Sequence, residues 1–363
     1  IQVVSTGESL LKRRLEMMDP DDELVEGALT PRDYVLGYLQ QAFPIHTQKL
    51  VEIDGNVVAE PLRDETGSLV VSREALTLRD EAMMDLMALA PIPAALDQIL
   101  WAFGDEAVAE VTGRSIRPLK SSDGALFIEK RAASSNSSET QAFLNGEKNI
   151  LIFSDAGGTG RSYHAAQTAK NQKRRRHYLL EPGWRADAAI QGLGRTHRSA
   201  QVSAPFFRVC TSDVHGEKRF TSTISKRLDQ LGALTKGQRE TGSQGMFREE
   251  DNLESPIARS ALRGYYADLA AGRAEAMGYE TFTDWTALQL IDKDGVLLEE
   301  LPPIQRFLNR VLALPIHMQN ALFAEFMQRI ADQTERARDA GTLDLGVETL
   351  RGETIKQVSA EDL

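Results

Sequence analysis

Three short apolar runs, Asn149 to Phe153, Arg176 to Leu180 and Phe206 to Cys210, alternate with helical patterns, and this alternation constrains the fold more than any other feature. The first run is continuous and bounded by Gly146 and a glycine-rich loop, which is how a parallel strand buried on both faces reads. Helices are expected at Ser134 to Leu144, closed by Asn145-Gly146, and at Ala186 to Leu193 and Val214 to Leu231. Strands connected by helices make a parallel sheet, so the class is α/β. Gln2 to Ser5 and Glu8 to Met18 read as one more strand and helix, with Leu10, Leu11 and Leu15 on one helical face.

Elsewhere the pattern is helical. Residues 20 to 119 begin with an acidic turn at Asp19 to Glu23 and continue with a helix at Pro31 to Ala42. A hairpin is expected around Asp54-Gly55-Asn56, then a long helix from Ser72 to Ala90 that Pro91 and Pro93 stop. Ala94 to Phe103 and Asp105 to Val111 read as short helices, which makes this stretch a mostly helical insertion. Beyond Gln238, helices are expected at Ile257 to Ala271, Ile304 to Leu314 and His317 to Ala340. The spacing of Leu314, Met318, Leu322 and Phe326 fits a packed core or a docking face. The expected division is an α/β lobe from 1–19 and 120–240, the insertion at 20–119 and a helical extension at 241–363.

Composition limits the function classes. Cys210 is the only cysteine, so no intrachain disulfide and no cysteine-built metal site is available; an intracellular protein is expected, cytoplasmic in a bacterium or nuclear in a eukaryote. No apolar run approaches the roughly 20 residues that cross a bilayer, so no membrane partner is expected. The chain opens inside the first strand without a methionine, and the natural start is expected upstream. The net charge of -11 argues against nucleic acid only on average, because Arg161 to Arg239 holds 16 Lys and Arg against 5 Asp and Glu. Its densest part runs from Lys170 through Lys173, Arg174, Arg175 and Arg176 to His177. Composition alone leaves open whether this island meets phosphates or water.

Two motifs carry candidate chemistry. The loop Ser154-Asp155-Ala156-Gly157-Gly158-Thr159-Gly160 follows a buried strand and so starts at the carboxyl end of a parallel sheet, where ligands bind. It misses the dinucleotide pattern, because the third glycine would fall at Tyr163. It is one residue short of a methyltransferase loop, in which Glu181 would hold a ribose; glycines chosen only for positive φ are the third reading. The second motif is Gln191-Gly192-Leu193-Gly194-Arg195-Thr196-His197-Arg198. On one helical turn Arg195 and Arg198 project from nearly the same side, with Gln191 one turn earlier, as a two-pronged anion clamp.

Gln-x-x-Gly-Arg-x-x-Arg, placed after a glycine loop and before a strand, resembles the sixth motif of superfamily 2 helicases and translocases, and the Ser154 to Gly160 loop then corresponds to their fifth. Further stretches resemble the strawberry notch family of helicase-like proteins: Asp97 to Gly113 with Arg114, Lys170 to Arg176, Trp184 to Gln201, Gly216 to Leu234, Phe307 to Arg310 and Gln319 to Phe323. They cover most of the chain, in order. The resemblance implies the second, RecA-like lobe of an ATP-driven motor, interrupted by the insertion and followed by a family-specific helical extension.

In such motors the arginines reach the γ-phosphate, so Arg195 and Arg198 are the implied catalytic pair, with Gln191, Gly194, Asp155, Gly157, Gly158 and Gly160 around the ATP. The implied partners are nucleic acid, DNA in preference to RNA, tracked by Lys170, Lys173, Arg174, Arg175 and Arg176, protein partners at the carboxyl-terminal helices, and a first lobe. No Gly-Lys dipeptide occurs in this sequence, and Asp80-Glu81-Ala82 lies in a helical pattern, so a P-loop and the main ligands for ATP and Mg2+ are expected on that other lobe. No protein-held metal site is expected here, since no metal-ligand spacing occurs. The rival readings are a transcription-regulatory interaction platform without turnover and an S-adenosylmethionine-dependent methyltransferase. His197 reads as a loop-positioning residue, and Trp184 as an aromatic staple rather than a base-stacking group.

Overall fold

A computed structural model of the chain describes residues 1–17, 31–53, 56–90, 92–132, 134–158, 160–230 and 251–342. The expected acidic turn at Asp19 to Glu23, the turn residues Asp54 and Gly55, Thr159, and the Leu231 to Leu234 stretch lie outside them. The chain forms two compact units, Ser5–Gly157 and Ile1–Val4 with Gly158–Leu363. Among the described residues no helix is long and apolar enough to cross a membrane.

In the Ser5–Gly157 unit, helices α1 (Glu8–Met17) and α2 (Pro31–Ala42) precede the antiparallel strands β1 (Gln48–Ile53) and β2 (Asn56–Pro61). These strands flank the expected hairpin turn. Helix α3 (Arg73–Ala88) starts where the Ser72 hydroxyl accepts the Ala75 N–H, a cap the sequence pattern announces. Helix α4 (Ala95–Phe103) follows, ended by Gly104 at φ 77°. The next element corrects the sequence reading. Asp105 to Val111 is no helix: Val108–Val111 forms strand β3, fully buried and paired in parallel with Ile150–Phe153. Val-Ala-Glu-Val carries two β-branched residues, and burial on both faces overrides the weak helical spacing.

Strands β4 (Ile116–Lys120) and β5 (Leu126–Lys130) form a hairpin that the sequence pattern did not suggest. Strand β3 and most of β4 lie within residues 20–119, where the sequence pattern suggested no strand beyond the β1–β2 hairpin. Helix α5 (Ser135–Asn145) then crosses to β6 (Ile150–Phe153), the partner of β3. Gly146 ends α5 in the left-handed conformation at φ 83°, with its N–H on the Ala142 and Phe143 carbonyls. After β6 the chain makes the single helical turn α6 (Asp155–Gly158), within which it passes to the second unit.

The second unit repeats the strand and helix alternation. β7 (Arg176–Leu179) and β8 (Phe206–Val209) pair in parallel, joined by α7 (Ala186–Thr196). The amino-terminal strand joins them through one parallel bridge from Gln2 to Leu179, with the Gln2 N–H on Tyr178 O at 2.8 Å. Helix α8 (Lys218–Gln230) packs on this layer, with Leu179, Ala189 and Ile224 buried together. The fold class is therefore α/β, as the three apolar runs require.

The helices α9 (Pro256–Ala270), α10 (Tyr279–Thr286), α11 (Ile304–Arg310) and α12 (Ile316–Asp339) enclose an extensive apolar core. Phe307 is its hub, with ring centroids of Tyr265, Tyr266, Phe282 and Phe326 between 5.3 and 6.5 Å away. Leu314, Leu322 and Phe326 are buried here with Met318 packed against them, so their spacing marks core and not a docking face. Polar seams tie these helices to the α/β layer. Asn320 Oδ1 accepts the His215 N–H at 2.8 Å, Asn309 Oδ1 accepts from Arg219 at 3.2 Å, and the buried Glu254 carboxylate pairs with Lys226 at 2.5 Å.

Candidate functional site

Helix α7 begins beyond the carboxyl end of β7 and runs back along the sheet, so its last turn delivers Arg195 to the amino end of that strand. Thr196, one residue on, confirms the position: its hydroxyl lies 2.8 Å from Nδ1 of His177, the second residue of β7. The Thr196 hydroxyl also donates to Leu193 O at 3.1 Å, which holds the final turn closed. Burial pushes the His177 imidazole down to about 3, so it is neutral at ordinary pH and acts here as a packed hydrogen-bonding group.

The helix stops at Thr196. His197 is extended, with φ -123° and ψ 109°, and Ala200 is left-handed at φ 56°. Arg198 therefore lies on the turn after the helix, and the expectation that Arg195 and Arg198 share a helical face is corrected. A capping residue with extended backbone rotates everything after it away from the helical spacing. Arg195 is only 7% exposed and its Nη1 donates to Arg161 O at 3.1 Å, whereas Arg198 is exposed and its backbone N–H donates to Gln201 Oε1 at 3.2 Å.

What brings the two arginines into one site is the segment that follows the glycine loop. Residues 165–167 lie antiparallel against 200–202, through the Val202 N–H to Ala165 O at 2.8 Å and the Ala166 to Gln201 bridge, and just before them the Tyr163 N–H meets Arg195 O at 2.7 Å. Arg175 clamps the other side of the same segment. It is 5% exposed, and its guanidinium donates to the carbonyls of Tyr163, Lys173 and Asn171 at 2.8 to 2.9 Å. Arg175 thus leaves the expected nucleic-acid set, because its donors are spent on the backbone; Lys170, Lys173, Arg174 and Arg176 remain exposed. Arg174 also donates to Ala204 O at 2.9 Å.

The glycines divide by role. Gly160 sits at φ +73°, with open space where a Cβ would be, so its conformation is what requires glycine. Gly192 is a packing glycine that sequence reasoning passed over, because a Cβ there collides with the Gln2 side chain. Gly194 is free of any such neighbour, and Gln191 is exposed on α7. In the Ser5–Gly157 unit, the exposed Asp155 opens α6, and Ala156 lies 3.1 Å from where a Cβ on Gly113 would be. Gly157 and Gly158 form the end of the same turn. Glu181, the ribose candidate of the methyltransferase reading, uses Oε2 to accept the Val4 N–H at 2.6 Å. Trp184 packs edge-on to Phe220 at 4.6 Å and is still 65% exposed, while the exposed His197 tilts toward Phe207 at 6.4 Å.

A buried ionic network beneath the β3 turn escaped the motif search. Arg114 pairs with Asp97 and Glu110, both at 2.6 Å, and Thr112 donates to Glu110 at 2.5 Å. Arg117 and Arg131 reach Glu110 at 3.5 and 3.4 Å. Burial raises the Glu110 carboxyl, but the Arg114 charge and hydrogen bond outweigh it and hold Glu110 ionised; at Asp97 burial wins over Arg114 and the carboxyl is raised. The signal was present as one acid inside the apolar run Val108 to Val111.

Comparison with known proteins places this geometry in a family. Residues 94–349 match the family model described as the C-terminal domain on strawberry notch homologue. The chain is 35% identical to protein strawberry notch homolog 1 of Rattus norvegicus over 79% of its own length, and 36% identical to protein strawberry notch of Drosophila melanogaster over 78%. It is 32% identical to protein FORGETTER 1 of Arabidopsis thaliana over 74%. It spans 25%, 19% and 23% of those relatives respectively, so it corresponds to a quarter of their length or less. No solved structure matches the chain. The arginine turn, the glycine loop and the helical core all fall within the matched residues, and the chain belongs to the strawberry notch family as its helicase-like C-terminal domain.

Proposed function

We propose that this chain is the second, RecA-like lobe of an ATP-dependent nucleic-acid translocase, and that its arginine turn is supplied to ATP held by a P-loop lobe. The observation that carries the reading is the construction of that turn. Arg195 is fixed by a bond to Arg161 O and buried, while Arg198 is presented to solvent three residues later on a backbone strapped to the segment after the glycine loop. One guanidinium held in advance beside a second presented outward suits phosphoryl transfer, because stabilising the transferring group is positioning plus charge. ATP and Mg2+ would be held mainly by the other lobe, and this chain by itself would not turn ATP over. Gln191, Gly194, Gly158 and Gly160 are assigned to the ATP side. The exposed Lys170, Lys173, Arg174 and Arg176 are assigned to the phosphates of nucleic acid, DNA in preference to RNA, read without sequence preference.

The methyltransferase reading loses its second acid, since a Glu181 oxygen is committed to the Val4 N–H. The platform reading differs in one measurable respect. In a polypeptide carrying the upstream lobe, Arg198→Lys keeps the charge but loses the planar fork, and nucleic-acid-stimulated ATP turnover should fall by at least 100-fold, on the order of the smaller arginine-finger effects or below. Turnover at the parental rate would replace the motor by the platform.

A further inference from the structure

Ser162, Tyr163 and His164 follow the glycine loop on the segment strapped to the arginine turn, and no motif drew attention to His164. Its neighbours fix its backbone on both sides: the Tyr163 N–H and C=O are taken by Arg195 O and Arg175 Nε, and the Ala165 carbonyl accepts the Val202 N–H. The His164 carbonyl itself accepts the Ala166 N–H at 2.9 Å. The main chain that carries the imidazole is thereby held. The ring Nδ1 is nevertheless buried with no hydrogen-bond partner among the described residues. A buried ring nitrogen without a partner costs free energy, on the order of 1 to 3 kcal/mol by mutational data, and a native structure retains such a group where something else completes it.

The charges around it say what that is. Arg198, from the arginine turn, and Arg175, from the segment before β7, both act on the His164 ring, and both are permanently cationic. Arg175 is committed to three carbonyls and cannot swing away. A histidine in the field of two arginines is poorly placed to carry a cation and well placed beside an anion. We propose that His164 and Arg198 form a phosphate-binding pair, in which His164 Nδ1–H donates to a phosphoryl oxygen that the Arg198 guanidinium also holds. This rests on the reading of the arginine turn as phosphate-facing and names a further residue of that site.

A consequence follows for protons. Burial first, and the two arginines next, hold the His164 imidazole below its ordinary range, so the free protein carries it neutral near pH 7. A bound dianion offsets the arginine charge and favours the imidazolium, so Nε2 takes one proton from water as the anion binds. Anion affinity therefore rises as pH falls.

The test uses sulfate on the full chain at constant ionic strength, because sulfate is tetrahedral and does not change charge between pH 6 and 8. The expected result is that saturating sulfate moves the titration midpoint of the His164 ring C–H resonance up by about one pH unit, with up to about tenfold tighter sulfate binding at pH 6 than at pH 8. His164→Gln should bind sulfate with no pH dependence, and Arg198→Ala should bind it at least several-fold more weakly. ADP and a thymidine oligonucleotide are then tested as displacers: displacement by either supports a phosphate ligand and identifies nucleotide or nucleic-acid backbone as its source. If His164→Gln keeps the parental pH slope while Arg198→Ala weakens binding, the His164 assignment is overturned and the arginine reading stands. If sulfate fails to bind, if neither variant alters binding, or if neither displacer competes, the phosphate-binding pair is overturned. The arginine reading is judged separately by ATP turnover in the two-lobe polypeptide.

Discussion

The Tyr163 N–H donates to the carbonyl of Arg195 at 2.7 Å, so the peptide bearing the first arginine of the turn is bonded directly to the segment that leaves the glycine loop. The next peptide of that segment is gripped by Arg175, whose Nε takes the Tyr163 carbonyl at 2.8 Å. A displacement of the loop segment must therefore move or break the arginine turn. The proposed motor would need such a coupling between two motifs, and here the coupling is built from backbone bonds and one buried cation.

Arg175→Ala should consequently behave as a core mutation. It removes donors to three carbonyls, two of which, on Tyr163 and Asn171, lose a charged partner in a buried place. The expected loss is about 3 kcal/mol of unfolding free energy, measured by urea denaturation followed by circular dichroism. A loss below about 0.5 kcal/mol would mean that the clamp is dispensable.

The exposed cations next to it should do the opposite. Replacing Lys170, Lys173, Arg174 and Arg176 together by Ala should leave the fold intact and flatten the salt dependence of single-stranded DNA binding, by up to about 3 in the slope of log K against log salt if all four meet phosphates. An unchanged slope would reduce this stretch to a solvated surface.

That contrast shows what the sequence could and could not tell. Arg175 and Arg176 are indistinguishable as letters in a basic run, and only the strand start at Arg176 turns one guanidinium inward and the next outward. The α/β class was legible because Ile150 to Phe153 is apolar without interruption, and the cap at Gly146 because glycine adopts φ 83° without strain. Strand β3 was not legible: a single glutamate in a four-residue run mimics helical spacing, and its partners Arg114, Arg117 and Arg131 come from later in the chain. The motif singled out Arg195 and Arg198, but their geometry was not legible, because nothing local announces that the helix ends at Thr196.

Gly192 offers a test of packing on the same helix. A Cβ at this position collides with the side chain of Gln2, which is buried and donates to Ala188 O at 3.3 Å. Gly192→Ala gains helix propensity, worth about 1 kcal/mol, but overpacking costs about 1 to 3 kcal/mol. Net destabilisation is expected, with recovery when Gln2→Ser is added to make room. If the single variant proves more stable than the parent, Gln2 moves aside at no cost and the contact is unimportant.

The Ser5–Gly157 unit should lose stability in acid for an identifiable reason. Burial tends to raise the Glu8 carboxyl, but hydrogen bonds from Ser115 and Lys12 outweigh it and hold it at about 2, and Glu110 is held down by Arg114. A carboxylate whose folded pKa is depressed contributes stability above its unfolded value, near 4.5, and loses it as pH falls through the folded value. Glu8→Gln should therefore be less stable than the parent at pH 7, and the difference should close as pH falls from 4.5 to 2. Parallel stability curves for the two proteins across that range would show that the Ser115 contacts at 2.6 and 2.7 Å contribute nothing.

The two arginines of the turn should separate stability from turnover. As letters, Arg195 and Arg198 look equivalent, and neither would be expected to matter for folding. Their burial makes them different: Arg195 is 7% exposed and donates to Arg161 O at 3.1 Å, while the Arg198 side chain faces solvent. Arg195→Ala removes a charged donor from a half-buried carbonyl and should cost about 1.5 to 3 kcal/mol of stability; Arg198→Ala should stay within about 0.5 kcal/mol of the parent. In the polypeptide that carries the upstream lobe, both should reduce ATP turnover steeply, and the double substitution should cost far less than the sum, because the two groups serve one transition state. Thermal denaturation run beside the turnover assay distinguishes the two effects. An Arg198→Ala protein that unfolds early would show that the turn depends on this side chain, and the assignment of Arg198 as the exposed, phosphate-facing arginine would fall.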